Sequence, residues 1–332
     1  MMRVTRRNKV LAAVVLSLAV CIAGAAASLS AQDTQVIAQL WPHAWEPNFE
    51  YPPGRRSVLV LTNAPSESGM IIPFDRVRWP ANVGPLGNEQ YTTYMVGEPG
   101  RDQMYLEWRI WPPNNTTMSA AHWHRQLRTE AFVFGDGYWH GTGPVVDQKH
   151  RTHQYPGDFL VEWAGGYHFG WTDPDAADNT AFFIFGSEAI TDGPFGPEVP
   201  AEKHNTFYSQ AEISWQPGQG TGPMIFNMIG DATKADPATA GWYNEVNKWR
   251  PGNAIKARKY SGDRYGIVVS GRIYIGWGDK MDPTKGRLMT TGTFFSQPAG
   301  MSVYMYVPAN EPEDTVVVMY GRGPEKITLV EQ

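Results

Sequence analysis

His122-Trp123-His124, then Glu130, Gly137, Gly157, Gly165 and His168, form the stretch whose reading decides the fold. In a β-strand residues i and i+2 point to the same face, so His122 and His124 aim two ring nitrogens at one point. Glu130, Phe132 and Phe134 keep that parity as the chain enters a strand from Ala131 to Phe134. After a turn at Asp136-Gly137 the chain returns through Gly157-Asp158-Phe159-Leu160-Val161-Glu162-Trp163, apolar enough for a core strand. Gly165-Gly166 permits a tight turn before His168. Such a hairpin brings a distant third imidazole beside the first two. Three imidazoles and one carboxylate make a binding set for one divalent transition metal, with Fe, Mn, Zn, Cu and Ni as the choices.

The stretch resembles the two motifs of the cupin superfamily. The first, G-x5-H-x-H-x(3,4)-E-x6-G, compares with His122-x-His124-x5-Glu130-x6-Gly137. The second, G-x5-P-x-G-x2-H-x3-N, compares with Gly157-x5-Trp163-x-Gly165-x2-His168 and Thr172. Thr116 stands where the first glycine is expected, one extra residue separates His124 from Glu130, Trp163 replaces Pro and Thr172 replaces Asn. The extra residue makes Gln126 the alternative to Glu130, a weaker one because its amide is neutral. The resemblance implies a jelly-roll barrel, a double-stranded β-helix, with His122, His124, Glu130 and His168 as metal ligands.

The second half of the chain repeats the first without the histidines. Trp249-Arg250-Pro251-Gly252 echoes Trp111-Pro112-Pro113-Asn114; nine residues beyond Pro113 is His122, and nine beyond Pro251 is Tyr260. Gly292-x5-Pro298-x-Gly300-x2-Val303 fits the second motif with Val303 at the histidine place, and no histidine follows His204. This half keeps the turn glycines and loses the ligands. Lys256, Arg258, Lys259 and Arg264 form a basic cluster there, readable as a solvated face or as an anion contact.

The expected organisation is all-β: a signal peptide over 1–31, an N-terminal barrel with lead-in strands and the metal site over 32–195, a linker over 196–225, and a degenerate C-terminal barrel over 226–332. Gly and Pro are frequent, 34 and 26 of 332 residues, and punctuate short strands of Val, Ile, Phe, Tyr and Trp. Lead-in strands are expected at 57–62, 76–79, 91–96 and 104–111, and a short helix from Asp236-Pro237 towards Trp249. Thr180 to Gly186 closes the first barrel. His150 and His153 fall in a charged stretch read as a solvated loop; His43, His140 and His204 carry no assigned role.

Arg3, Arg6, Arg7 and Lys9 precede an apolar run from Val10 to Ala27, with no acidic residue before Gln32. That is the pattern of a secretory leader, and Thr5 to Leu11 partly matches a twin-arginine export signal. The run is also just long enough for an anchor, but its Ala-rich end favours cleavage. Losing those four cations takes the net charge from −5 to −9, which argues against a nucleic-acid partner. Cys21, the one cysteine, lies in the leader, so the remaining chain offers neither disulfide nor thiolate.

The expected location is the periplasm or the exterior. The expected partner is a small-molecule substrate, with no nucleic acid and no stable membrane span after cleavage; the reading admits a homo-oligomer. The resemblance implies three chemistries: an Fe(II) dioxygenase acting on a small aromatic or carboxylate substrate; a non-redox isomerase, lyase or decarboxylase with Glu162 or Tyr167 as acid/base; and a non-catalytic ligand- or metal-binding cupin. Fe(II) is the favoured metal, and the first chemistry the favoured one.

Overall fold

Runs of β-branched and aromatic residues between Gly- and Pro-rich turns become strands throughout the computed structural model, which describes residues 69–77, 81–83, 89–97, 104–115, 120–149, 151–189, 205–218 and 220–331. In chain order the strands are β1 (Ile71–Ile72), β2 (Ala81–Val83), β3 (Glu89–Val96), β4 (Tyr105–Trp111), β5 (Gln126–Phe134), β6 (Tyr138–Thr142), β7 (Arg151–Gln154), β8 (Phe159–Glu162), β9 (His168–Thr172), β10 (Thr180–Ala189) and β11 (Asn205–Tyr208). The second set is β12 (Met224–Ile229), β13 (Trp242–Trp249), β14 (Ala254–Tyr260), β15 (Arg264–Ser270), β16 (Arg272–Trp277), β17 (Arg287–Thr290), β18 (Phe294–Gln297), β19 (Val303–Tyr306), β20 (Thr315–Arg322) and β21 (Ile327–Leu329).

The first barrel packs the sheet β11-β8-β5-β10-β4-β3-β2 against β7-β6-β9, and the second packs β1-β18-β15-β20-β13-β12 against β17-β16-β19-β14-β21. Five strands of the two large sheets follow the same order. β8, β5, β10, β4 and β3 correspond to β18, β15, β20, β13 and β12, and each large sheet ends in a short added strand, β11 or β1. The added strand of the second barrel comes from ahead of the first, with Ile71 opposite Phe295 and Ile72 opposite Phe294.

The two large sheets share an apolar cluster. Leu106, Trp108, Ile110, Val133, Phe183 and Phe185 from the first meet Val246, Ile267, Phe294, Val316, Val318 and Tyr320 from the second. Phe183 lies at the junction, its ring centroid 5.8 Å from both Phe294 and Tyr320. This junction buries β4 and β5 on both faces. Because Leu106, Trp108 and Ile110 face the second barrel, the alternating set Tyr105, Glu107, Arg109 and Trp111 lines the interior of the first. The second interior is a separate apolar cluster that includes Trp249, Ile275, Met289, Phe295, Met305 and Met319.

Several expectations are corrected. The helix towards Trp249 is only a 3-10 turn, Pro237–Thr239, capped by the Asp236 side chain accepting from the Ala238 N–H. Beyond it Trp242–Trp249 is a strand, paired on both sides, with Val246 buried in the shared cluster and Trp249 in the second interior. Asn205–Tyr208, inside the expected linker, pairs with Phe159–Glu162 of the first barrel. Phe74–Arg76 is a 3-10 turn rather than the start of a strand. The leader over 1–31, the strand expected at 57–62, and His43, Thr116, His150 and His204 lie outside the described residues.

Truncating Phe183 to alanine opens a void shared by both barrels. Phe183→Ala is expected to cost about 3–5 kcal/mol and to lower the urea midpoint of a tryptophan signal from either barrel alike. A loss confined to the first barrel would contradict a common junction.

Candidate metal centre

His122 stands just before β5 and bridges to His168 at the start of β9, each backbone N–H donating to the other's carbonyl at 2.9 Å. Gly165 adopts φ +79°, a conformation that favours glycine, and its N–H donates to the His124 carbonyl at 2.8 Å. These backbone bonds bring the two segments together. The ring centroids of His122 and His168 are 4.3 Å apart, those of His124 and His168 4.9 Å, and those of His122 and His124 5.2 Å.

Two overlapping donor groups result: His122, His124 and His168, and His140, Glu162 and His168, the ligand atoms of each within 4.8 Å of one another. His140 comes from the middle of β6 and Glu162 from the end of β8. The Glu162 carboxylate lies 3.2 Å from His140 Nε2, 3.2 Å from His168 Nε2 and 3.7 Å from His124 Nε2. His140 and His168 are nearly parallel, with ring planes 14° apart.

Outer hydrogen bonds fix the tautomers. His122 Nδ1 donates to the Ala120 carbonyl at 2.9 Å and His168 Nδ1 to the Gly166 carbonyl at 3.1 Å. With Nδ1 carrying the proton, each Nε2 presents a lone pair inward, the form a metal ligand needs. Both Nε2 atoms and Glu162 Oε2 are buried without a hydrogen-bond partner. Burial holds the His168 imidazole down to about 3 and also lowers His122 and His124, the latter further depressed by Arg128. His168 Nε2 and Glu162 Oε1 are therefore two electron-pair donors facing each other at 3.2 Å. A cation between them resolves the contact, so the donor set fits a divalent metal. His122 and His124 are half-buried and mark the side on which the site opens.

Arg128 sets the charges. Its guanidinium lies 2.9 Å from Glu130 and 3.4 Å from Glu162, and it donates to His124 Nε2, where it competes with a cation for that lone pair. Burial alone would raise the Glu162 carboxyl, but Arg128 first, then His168 and the hydrogen bond from His140, hold it well below the usual range. Glu130, buried and beside the ionised Glu162, is pushed up to about 8 despite Arg128.

Sequence reasoning named His122, His124 and His168, and the structure brings them together. Glu130 lies outside both donor groups and accepts from Arg128. The strand places it two residues beyond Arg128, and Arg128 falls at the shorter of the motif's two glutamate spacings. Gln126 also lies outside both groups, donating to the Ser187 carbonyl at 2.6 Å. Glu162, named as an acid/base group, is the carboxylate among the imidazoles. Tyr167 is half-buried, and among the described residues no ring contact joins it to the histidines. His140 was missed; its signal was the i+2 parity with Tyr138, which faces the interior. His153, read as part of a solvated loop, sits in β7 with Nε2 3.0 Å from Asp173.

No protein-family model and no curated protein matches the chain. Solved structures do. A variant of the salicylate 1,2-dioxygenase of Pseudoaminobacter salicylatoxidans is 12% identical at TM-score 0.51, covering 81% of this chain and 90% of its own. Protein Ylba from E. coli is 10% identical at TM-score 0.52, covering 77% and 91%. A Bacillus subtilis oxalate decarboxylase variant is 12% identical at TM-score 0.49, covering 80% of each chain. At these identities the likeness is one of fold.

Opposed proton linkages follow from the buried groups. Unfolded His168 takes up a proton near 6.5 and the folded one only near 3, so stability falls as pH drops through that window. Folded Glu130 keeps its proton from about 4.5 to about 8 where the unfolded chain loses it, so stability falls as pH rises through that second window. In chelator-treated protein, Glu130→Gln is expected to gain stability over wild type at pH 8, with the gap narrowing towards pH 5, measured by urea unfolding. An equal loss at both pH values would contradict a protonated Glu130.

Proposed function

Taking the chain as a protein of two-barrel cupin fold, we propose that it is an exported metal-dependent enzyme with a single centre in its first barrel. The leading reading is an Fe(II) dioxygenase acting on a small aromatic or carboxylate substrate. The observation that carries the metal is the inward lone pairs of His122 and His168, locked by outer hydrogen bonds and facing the ionised Glu162. His122, His124, His168 and Glu162 would hold the ion, with His140 donating to Glu162. A divalent transition metal supplies a Lewis acid there, and iron adds one-electron chemistry with dioxygen.

The residues of the chain do the rest. The carbonyls of Ala120 and Gly166 keep two imidazoles in the ligand tautomer. Arg128 keeps Glu162 anionic. Phe207 packs edge-on against His140, with ring centroids 5.3 Å apart. The opening past His122 and His124 is the approach for substrate. Likeness in fold to a dioxygenase acting on salicylate supports the oxidative reading.

A second reading, a non-redox lyase or decarboxylase, is favoured by Glu130. A carboxyl that keeps its proton up to about 8 is suited to donate it at neutral pH. It stands behind Arg128, so a proton from Glu130 reaches the site only past the guanidinium.

Protein isolated from its native compartment is expected to carry about one transition metal per chain, and His122→Ala or His168→Ala is expected to abolish it. With iron present, oxygen uptake on catechols and hydroxybenzoates supports the dioxygenase. Turnover of a carboxylate under anaerobic conditions supports the second reading instead. Metal-free wild-type protein would remove both.

A further inference from the structure

The strand registers allow the second barrel to be compared with the first at each position of the site. Arg258 pairs with Val303 as His122 pairs with His168. Two residues on, Tyr260 takes the place of His124; this corrects by two positions the sequence alignment that set Tyr260 against His122. Arg264 pairs with Gln297 as Arg128 pairs with Glu162. Glu245 lies opposite Met319 as Glu107 lies opposite Ile184. Tyr243 and Tyr105 each lie over a glycine, Gly321 and Gly186, that leaves no room for a Cβ. The run Tyr243-x-Glu245-x-Asn247-x-Trp249 thus repeats Tyr105-x-Glu107-x-Arg109-x-Trp111.

The second barrel keeps the tyrosine, glutamate, arginine and tryptophan of the frame. It replaces the donor set: Arg258, Tyr260, Gln297 and Val303 stand for His122, His124, Glu162 and His168. Lone-pair donors that suit a cation have given way to a fixed cation, a phenol, an amide and a hydrocarbon.

The place is also hollow. A cavity of about 150 Å³ is lined by Arg258, Arg264, Glu245, Glu325 and Trp249, with Ile255, Met305 and Met319 on its apolar side. Arg264 is 7% exposed, with its guanidinium carbon 4.1 Å from the Tyr260 ring centroid. Its two carboxylate neighbours, Glu325 at 3.7 Å and Glu245 at 4.0 Å, lie beyond hydrogen-bond reach. Glu245 already accepts from Asn247 at 2.8 Å. Arg264 Nε and Trp249 Nε1 are buried donors without a partner. Among the described residues no carboxylate pairs with Arg258, whose Nε donates to the Lys256 carbonyl at 3.2 Å. Burial raises the Glu325 carboxyl above the usual carboxylate range, against the opposing pull of Arg264.

We propose that this cavity is a second, metal-independent ligand site that takes a small monocarboxylate, its anionic end on Arg258 and Arg264 and its short body against Trp249, Ile255 and Met305. The unpartnered donors, and the Arg258 guanidinium that no carboxylate among the described residues meets, call for an acceptor that carries negative charge; Arg264 makes only long ion pairs, with Glu325 at 3.7 Å and Glu245 at 4.0 Å. The volume, below the roughly 300–1,000 Å³ of pockets for larger ligands, suits a ligand of a few carbons. The apolar wall disfavours a polyol or an inorganic anion. The ligand set of the first barrel plays no part.

The test is calorimetric titration of the chelator-treated full chain with acetate, propionate and lactate, and with the matching neutral amides. The acids are expected to bind, and the amides to bind at least about tenfold more weakly. Arg258→Gln, at a half-buried position, should weaken the acids by about tenfold or more while the thermal midpoint stays close to wild type. Arg264→Lys is the second variant, accepted only if its circular dichroism is native. His168→Ala, which destroys the first site, should leave acid binding unchanged. Acids and amides binding alike, no acid binding, wild-type affinity in Arg258→Gln, or loss of binding in His168→Ala would each overturn the assignment. None of these results depends on whether the first barrel holds a metal.

Discussion

The ion pair between Arg128 and Glu162, 3.4 Å apart with both side chains 3% exposed, is the interaction on which the site depends. Two charges so deeply buried persist only with well-placed partners, and theirs are Glu130, His124, His140 and His168. The guanidinium decides which carboxyl is ionised: Glu162 stays anionic among the imidazoles, and Glu130 takes the proton. Arg128 is the cation that reaches both Glu130 and Glu162, while Arg109 pairs with Glu107. The lone-pair-rich face of the site points to the half-open side where His122 and His124 lie.

The polar groups share the first interior with Trp111, Phe132, Leu160, Phe182 and Ile184, and a larger apolar cluster lies behind the sheet. The large sheets of the two barrels pack back to back through Trp108, Phe183, Phe294 and Tyr320, so the outer faces of β4, β5 and β10 form a core of their own. The inner faces of those strands are freed for Glu107, Arg109, Arg128 and Glu130. In the second barrel the corresponding space is closed largely by Ile275, Met289, Phe295, Met305 and Met319, and only the mouth retains charge. One frame has thus been filled twice, once with lone pairs and once with hydrocarbon and guanidinium.

Much of this was legible in the sequence because two periodicities are rigid. The i+2 rule placed His122 and His124 together, and the glycine turn before His168 supplied the third ring. The glycine spacing of the second motif, repeated at 292–303, revealed the second barrel. What was not legible depended on which strand lies opposite which. Glu162 reaches His140 and His168 only because β8 and β6 belong to facing sheets, and no linear spacing encodes that. Glu130 was chosen by position along the motif, and its carboxylate lies against Arg128, outside both donor groups. The helix expected beyond Asp236 had a sound cap and first-turn proline, yet the segment is a strand paired on both sides, with Val246 and Trp249 buried. The alignment of Tyr260 with His122 was two residues out because the connection after Pro251 is shorter than that after Pro113.

The central claim is that the carboxylate of the site is Glu162 rather than Glu130. Its most direct test is the affinity of chelator-stripped protein for Mn(II) or Fe(II), measured by anaerobic titration of wild type, Glu162→Gln and Glu130→Gln. The account predicts a loss of at least about tenfold in Glu162→Gln and near wild-type affinity in Glu130→Gln. Retained affinity in Glu162→Gln, with loss in Glu130→Gln, would contradict it.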